Sequence, residues 1–159
     1  RSSPMVFVPA ARPPQHYELV HEWTLESPSD VSRVRSEIAE RAAATGDWDP
    51  EAPEVLDRLV LVCSELSSNA LIHARPPVCA SLQASPSWFL VDVSDDELAT
   101  SPVLAHQPDE GGLGIALTSA LASSSGWYVE GGRKHVWATF IKRAGAARTP
   151  VEKVDVSRL

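Results

Sequence analysis

The stretch from Glu54 to His73, EVLDRLVLVCSELSSNALIH, decides the fold of this chain. Apolar residues recur in it at spacings of three and four, which is the period of a helix with one core-facing side. The stripe consists of Leu59, Val62, Leu66 and Ala70, flanked by Val55 and Cys63. The sequence therefore predicts one long amphipathic helix that packs against a second layer of the structure.

Three polar residues of the same helix, Glu65, Asn69 and His73, follow one another at spacings of four. Residues four apart lie one above another on a helix, so these three line the border of the apolar stripe. Half-buried carboxylate and carboxamide groups need partners. Glu65 and Asn69 are thus either a water-facing helix edge or part of a binding site. His73 leans toward the stripe, and we expect it to be a hydrogen-bonded core histidine.

The remaining pattern predicts an alternation of strands and helices around this element. Turn signals and apolar periodicity separate the segments. We expect a strand at 16–26, a helix at 30–45 with Asp30 as its N-cap, strands at 78–84 and 88–93, an acidic loop at 94–111, a helix at 112–124, and strands at 127–130 and 134–142 around a Gly131-Gly132 turn. Strands joined by tight turns pair mostly antiparallel, so we predict an α/β (α+β) two-layer sandwich of a mostly antiparallel mixed sheet with three helices on one sheet face.

Length and charge limit the classes of function. The chain of 159 residues is enough for one domain, predicted at 16–143 between an irregular segment at 1–15 and a polar tail at 144–159. Its net charge of −7 and the absence of a basic run disfavour nucleic-acid binding. No apolar run approaches the roughly 18–20 residues that cross a bilayer, and the N-terminal apolar patch is too weak for a signal peptide.

Cysteine and tryptophan usage adds two expectations. Cys63 and Cys79 lack a CxxC spacing, so we expect buried free thiols in a reducing cytoplasm. Most of the five tryptophans are expected to pack in the core or on the sheet. Alternation places Trp137 and Thr139 on the same face of the last strand. A sheet face that exposes Trp23 or Trp137 would be a candidate surface for a homodimer or a partner protein.

Two further stretches carry possible chemistry. In VDVSDD, Asp95 or Asp96 follows an apolar strand, where a carboxylate can accept a hydrogen bond from an exocyclic amine such as that of adenine; the alternative is an acidic turn cap. In GGLGIAL, glycines at 111, 112 and 114 open a helix whose free N–H groups could cradle a phosphate; the alternative is a flexible helix entry. Neither the Rossmann fingerprint nor a P-loop lysine is present.

The order of these motifs resembles a known superfamily. A helix with E-L-x-x-N-A-x-x-H, a strand ending in V-x-V-x-D, a long loop, and G-x-G opening a helix are similar to the GHKL (Bergerat-fold) ATPases. The chain looks most like the RsbW-like anti-sigma-factor serine/threonine kinases, in the small single-domain form of actinobacteria. The resemblance covers about residues 16–142 and includes the ending WYVEGGRKHVWATF. It implies the histidine-kinase-like ATPase fold, with ATP and magnesium as cofactors.

The resemblance also implies roles for individual residues. Asn69 matches the asparagine that holds the magnesium bridging the ATP phosphates. Glu65 matches the glutamate proposed as general base toward the acceptor hydroxyl, and Asp95 matches the aspartate that binds the adenine amino group. The other positions carried over are Gly112 and Gly114, which match the glycine box at the lid, and Thr139, which matches a threonine near adenine on a late strand.

The chain departs from the superfamily pattern around the lid. Many members have glycines directly after the aspartate, whereas Asp95 is followed by Asp96, Glu97 and Leu98. Between Asp95 and Gly114 there is no Lys or Arg, and acidic side chains there would repel a triphosphate unless they turn outward. The nearest cations in sequence order are Arg133 and Lys134.

Three functions therefore remain open at this point. The first is a cytoplasmic, ATP-dependent serine/threonine kinase that phosphorylates an anti-sigma-factor antagonist, sequesters a sigma factor, or does both. The second is a catalytically silent module on the same fold that regulates transcription by sequestering a partner. The third, the ATP-binding domain of a histidine kinase, is disfavoured because we find no dimerisation helix with a phosphoacceptor histidine ahead of the domain.

Overall fold

A sheet and a pair of helices make up most of the described part of the molecule. The structure is a computed structural model that describes residues 9–14, 16–46, 49, 54–98, 118, 120–142 and 152–153. Its elements in chain order are β1 (Ala11–Arg12), β2 (Glu18–Leu25), α1 (Pro28–Ala43), α2 (Glu54–His73), β3 (Val78–Ala84), β4 (Trp88–Asp95), β5 (Ser124–Glu130), β6 (Arg133–Ile141) and β7 (Glu152–Lys153). No helix within these ranges is long and apolar enough to cross a membrane.

The main sheet has five strands in the order β2-β3-β4-β6-β5. Every neighbouring pair is antiparallel. The predicted α+β sandwich is therefore confirmed, but its five-stranded sheet is antiparallel throughout rather than mixed. The tight turn between β5 and β6 falls on Gly131 and Gly132, whose φ angles of 59° and 74° suit residues without a side chain. β1 and β7, from the segments predicted as irregular and as a tail, pair with each other in a separate two-stranded sheet.

Two of the three predicted helices lie within the described residues. Of the helix predicted at 112–124, Thr118, Ala120 and Leu121 are described and helical, and the sheet resumes at Ser124, before the predicted strand start at Trp127. The remainder of that segment, together with the loop at 99–111, lies outside the described residues.

The long helix α2 forms over the predicted residues and carries the core. Leu59, Val62 and Cys63 are fully buried in one cluster with the apolar residues of α1 and of the helix-facing side of the sheet. Each buried Leu or Val contributes about 1.5–3 kcal/mol relative to exposure. Cys63 has no disulfide partner, and burial raises the pKa of its thiol to about 12. Cys79, also a free thiol, is only half-buried.

The start of α1 differs from the prediction. Its N-cap is Ser27, with extended backbone angles, and Pro28 occupies the first turn. Asp30 lies three residues inside, where its carboxylate accepts hydrogen bonds from the N–H groups of Glu26 (2.8 Å) and Ser27 (3.1 Å). These bonds lower the pKa of Asp30. Asp30 was therefore wrongly predicted as the cap, because Pro28 suits the first helical position and an acid at the third closes a capping box.

The predicted alternation along β2 holds for only half of the strand. A bulge interrupts the pairing with β3 between Leu19 and His21. Beyond it Trp23 and Leu25 face the helices, whereas Leu19 before it is 60% exposed. Tyr17 packs against the cluster on the opposite sheet face. An extra residue inverts the facing of every earlier side chain, which a period-two pattern does not reveal.

The sheet face away from the helices is covered by the N-terminal segment. Trp137 is fully buried there with Ala11, Leu90 and Tyr128. Its Nε1–H donates to the carbonyl oxygen of Ala11 at 2.7 Å. Trp23 is buried under the helices, so neither tryptophan forms an exposed surface.

Gly126 allows this covering to form. It pairs with Trp137 across β5 and β6. A Cβ at Gly126 would lie 2.6 Å from Trp137 Cζ2 and 3.0 Å from the Ala11 carbonyl oxygen. The backbone of β5 therefore approaches the indole ring more closely than any side chain permits.

We expect Gly126→Ala to lower the free energy of unfolding by about 1–3 kcal/mol, the usual effect of overpacking. The indole must shift and weaken its bond to Ala11, so the near-ultraviolet circular dichroism should change as well. Urea denaturation measures the first effect. Ser125→Ala, at the adjacent half-buried position, is the control and should change stability by less than about 1 kcal/mol. Equal stability of the Gly126→Ala and wild-type proteins would contradict the close approach.

Candidate active site

The border of α2 carries two half-buried polar residues one turn apart. Asn69 has a buried Oδ1 atom with no hydrogen-bond partner among the described residues. Glu65 is half-buried, and its carboxylate makes no hydrogen bond or ion pair with another described residue. Buried carbonyl oxygens are nearly always satisfied, so an unpartnered one points to a water, an ion or a ligand as its partner. The water-facing helix edge considered for Asn69 does not fit its buried oxygen.

His73 does not lie in the core. It is exposed at the last residue of α2. The expectation of a core histidine was wrong because the apolar stripe ends at Ala70, one turn before it.

Asp95 is the last residue of β4, which extends past the predicted end at Val93. Phe89, Val91 and Val93 pack in the core beneath the helices. Alternation therefore turns the Asp95 side chain to the same face as α2. Asp95 is only 5% exposed, which is unusual for a carboxylate and a common feature of binding sites.

Two protein groups act on one oxygen of this carboxylate. Asp95 Oδ1 accepts a hydrogen bond from the N–H of Glu97 at 2.8 Å. The same oxygen lies 3.9 Å from Lys134 Nζ, in an ion pair whose two side chains are almost fully buried. Burial raises the pKa of Asp95; the Lys134 charge is the largest effect that opposes this, ahead of the Glu97 N–H and Arg133.

The chain connectivity places the end of α2 at the same end of the sheet as Asp95. Three residues separate His73 from Pro77, which immediately precedes β3. Arg133, at the start of β6, donates from Nη2 to the Pro77 carbonyl oxygen at 3.2 Å and to the Ser94 carbonyl oxygen at 2.8 Å. Its Nε also donates to Ser94 Oγ at 3.1 Å. Arg133 thus joins the segment after α2 to the strand end that carries Asp95.

The other predicted site residues are not brought to this place by the described residues. Gly112 and Gly114 lie outside them. Thr139 alternates with Ala138 and Phe140, which face the helices, so Thr139 points to the opposite sheet face. There it is 1% exposed and its hydroxyl bonds Ser124 Oγ. Thr139 thus pairs with Ser124 at the end of the β5–β6 ladder. It lies on the other side of the sheet from Asp95.

A polar cluster that the sequence analysis missed lies on the sheet face away from the helices. His135 Nδ1 is 2.8 Å from Asp92 Oδ1, and Tyr128 donates its hydroxyl to Asp92 Oδ2 at 3.3 Å. The Tyr128 and His135 rings stack in parallel with centroids 4.7 Å apart, and the Arg12 guanidinium lies 4.8 Å from the centroid of the Tyr128 ring. Burial, and then the Asp92 charge, raise the pKa of Tyr128.

This cluster ties the N-terminal segment to the sheet. Alternation in VDVSD and KHVWAT places Asp92 and His135 on the same face as Trp137. This pattern could have predicted that the two residues share a sheet face. Their contact additionally requires the pairing of β4 with β6 in the observed register, which the sequence does not show. Because Asp92 and Asp95 lie on opposite faces, the cluster is separate from the candidate site.

The donor atoms at the candidate site fit ATP and Mg²⁺. Mg²⁺ prefers oxygen ligands and retains waters, so a single carboxamide oxygen such as Asn69 Oδ1, with phosphates, suffices. Asp95 Oδ2, with no hydrogen bond to a described residue, can accept one from an exocyclic amine. No group of three or more His, Cys, Asp and Glu side chains within the described residues could hold a metal by itself.

The comparison with known families agrees with this fold. A family model described as the histidine kinase-like ATPase domain matches residues 25–140, from the end of β2 through most of β6. No curated protein matches the chain. The matched region includes α2 and the end of β4, the two elements that carry Asn69 and Asp95. Because it covers more than half of the chain, the protein belongs to the histidine kinase-like ATPase domain family, an ATP-binding family of the GHKL superfamily.

Proposed function

We propose that this protein is an ATP-dependent serine/threonine kinase of the anti-sigma-factor type. It would act in the cytoplasm on an anti-sigma-factor antagonist, and it would also be able to bind a sigma factor. The observation that carries the proposal is the buried, unpartnered Oδ1 of Asn69, one helical turn from a half-buried Glu65 that has no described partner. A binding module with no nucleotide would gain nothing from leaving the buried oxygen of Asn69 without a partner.

The chemistry asked of these residues is modest. Phosphoryl transfer depends mainly on positioning and on neutralising charge. When bound, Mg²⁺ would supply that neutralisation of charge. Asn69 would hold the metal, and Asp95 would bind the amino group of adenine. Glu65 would orient the acceptor hydroxyl and take its proton. Glu65 and Asn69 share one border of α2, so the proton acceptor and the metal ligand keep a fixed separation.

A silent partner-binding module on the same fold is the second candidate. Two described cations at the start of β6 are already engaged by protein groups: Arg133 by Pro77 and Ser94, and Lys134 by Asp95. Because both cations are paired with protein groups, neither offers an unshared positive charge to a triphosphate. Asp96 and Glu97 add negative charge beside Asp95. This module would bind its partner without ATP.

Magnesium-dependent ATP binding separates the two candidates. We expect isothermal calorimetry to detect Mg-ATP binding to the wild-type protein and at least about a tenfold loss of affinity in Asn69→Ala, because a metal ligand is removed. The same variant should be no less stable than wild type, since the substitution removes an unsatisfied buried oxygen and adds a better helix former.

Ser68→Ala, the adjacent half-buried position on α2, is the matched control and should bind Mg-ATP normally. A folded wild-type protein that binds no Mg-ATP would leave the silent module as the better proposal. Binding that survives intact in Asn69→Ala would remove Asn69 from the site.

Phosphoryl transfer tests the role of Glu65. With γ-labelled ATP and a panel of candidate antagonist proteins, we expect Glu65→Ala to lose roughly 100-fold or more in transfer rate, the usual contribution of a general base. ATP affinity should remain near that of wild type. Glu54→Gln removes an exposed carboxylate from the start of the same helix and should transfer normally. Near wild-type transfer by Glu65→Ala would show that another group accepts the proton.

A further inference from the structure

We propose that Lys134 is a positioning residue for nucleotide recognition, which holds Asp95 so that one carboxylate oxygen faces the amino group of the base. The inference rests on the proposed function, because it takes Asp95 as the residue that binds adenine. Nothing in the sequence motif assigns a role to Lys134, and the assignment comes from its place opposite Asp95 in the sheet.

The strand register brings the two residues together. Asp95 and Lys134 are direct partners in the antiparallel pairing of β4 with β6. Lys134 alternates with Val136 and Ala138, which pack beneath the helices, so its side chain points to the same face as Asp95. Lys134 is 8% exposed, and a buried ammonium group is held in one place by the surrounding side chains.

The contacts divide the carboxylate into two unequal oxygens. Oδ1 accepts from the Glu97 N–H and lies beside Lys134 Nζ. Two contacts on one oxygen fix the plane of the carboxylate and leave the other oxygen as its hydrogen-bond acceptor. A ligand amine that binds Oδ2 would therefore meet an acceptor whose orientation is already set, which reduces the ordering cost of binding.

The charge of Lys134 also keeps this acceptor ionised. Within the described residues, the charged groups that act on Asp95 are Lys134 and Arg133 from β6 and Asp96 next to it. Burial and Asp96 raise the pKa of Asp95, whereas both cations lower it. Arg133 faces the other side of the sheet through its bonds to Ser94. Without Lys134, the pKa of Asp95 would rise further, and the carboxyl would be protonated at a higher pH.

The test compares two nucleotides that differ in the amino group. Inosine triphosphate has a carbonyl oxygen where ATP has the 6-amino group, and an N–H at N1 where adenine has an acceptor, while the phosphates of the two titrate alike. The ratio of their affinities therefore reports the contact to the base alone. We expect wild type to favour ATP by about tenfold or more at neutral pH, typical of one hydrogen bond to a charged group. Lys134→Met should reduce the ratio severalfold.

The pH dependence distinguishes positioning from a structural role. Binding of the amine requires ionised Asp95, so the preference for ATP is present above the pKa of Asp95 and is lost as the pH falls through it. In Lys134→Met, whose Asp95 pKa is higher, the preference should be lost at a higher pH than in wild type. Lys134→Arg, which keeps the charge, should restore the wild-type profile at least in part.

Lys142 provides the matched control. It is a second buried lysine at the opposite end of the same strand pair, where it donates to the Ser85 carbonyl oxygen and its Nζ lies 4.8 Å from the centroid of the Phe89 ring. Lys142→Met should lower stability without changing the nucleotide preference or its pH profile. Lys134→Gln, which retains a hydrogen-bond donor, replaces Lys134→Met in the comparison if the methionine variant does not fold.

Two outcomes would overturn the inference in different ways. A wild-type protein that binds ATP with a clear preference, together with a Lys134→Met or Lys134→Gln variant of equal preference and unchanged pH profile, would exclude the positioning role and leave the proposed function intact. A folded wild-type protein that binds neither nucleotide, or binds both equally well, would overturn the inference together with the assignment of Asp95.

Discussion

The structure depends on the packing of the apolar stripe of α2 against the helix-facing side of the antiparallel sheet. Leu59, Val62 and Leu66 are buried there in one cluster with residues from α1 and all five strands. This contact fixes the rotation of α2 about its own axis. The residues at the margin of the stripe, Glu65 and Asn69, are then held half-buried in one orientation, because turning the helix would expose the core.

The polar groups of the candidate site lie where apolar rows end. The row of β4 on the helix side ends in Asp95, and the paired row of β6 begins with Lys134. Burying a carboxylate at that point is unfavourable unless a cation or a ligand meets it. The strand pairing supplies the cation directly opposite, and Arg133 ties the same strand end to the segment that follows α2. Sheet geometry, rather than any loop, therefore defines the spacing of this part of the site.

The two faces of the sheet have different roles in the structure. The helix side holds the donor atoms that fit a nucleotide and its metal. The other side is closed by the N-terminal segment, through the bond from Trp137 to Ala11 and the stack of Arg12, Tyr128 and His135. Gly126 permits that closure because its backbone contacts the indole ring directly. Trp23 and Trp137, which first suggested a partner surface, are instead buried on the two faces of the sheet.

The sequence by itself determined the bounds of α2, the two-layer architecture with mostly antiparallel strands, and the family. Hydrophobic periodicity and turn residues are local features, and the order of the motifs can be read directly along the chain. The cap of α1 was misassigned although Pro28 and Asp30 are local signals for a cap at Ser27. The sequence did not determine the bulge in β2 or the exposure of His73, because each depends on how an element packs against the neighbouring layer. Only the tertiary structure placed Lys134 on Asp95 and His135 on Asp92. Those contacts join residues about forty positions apart, and register across paired strands is set by the whole sheet rather than by any local pattern.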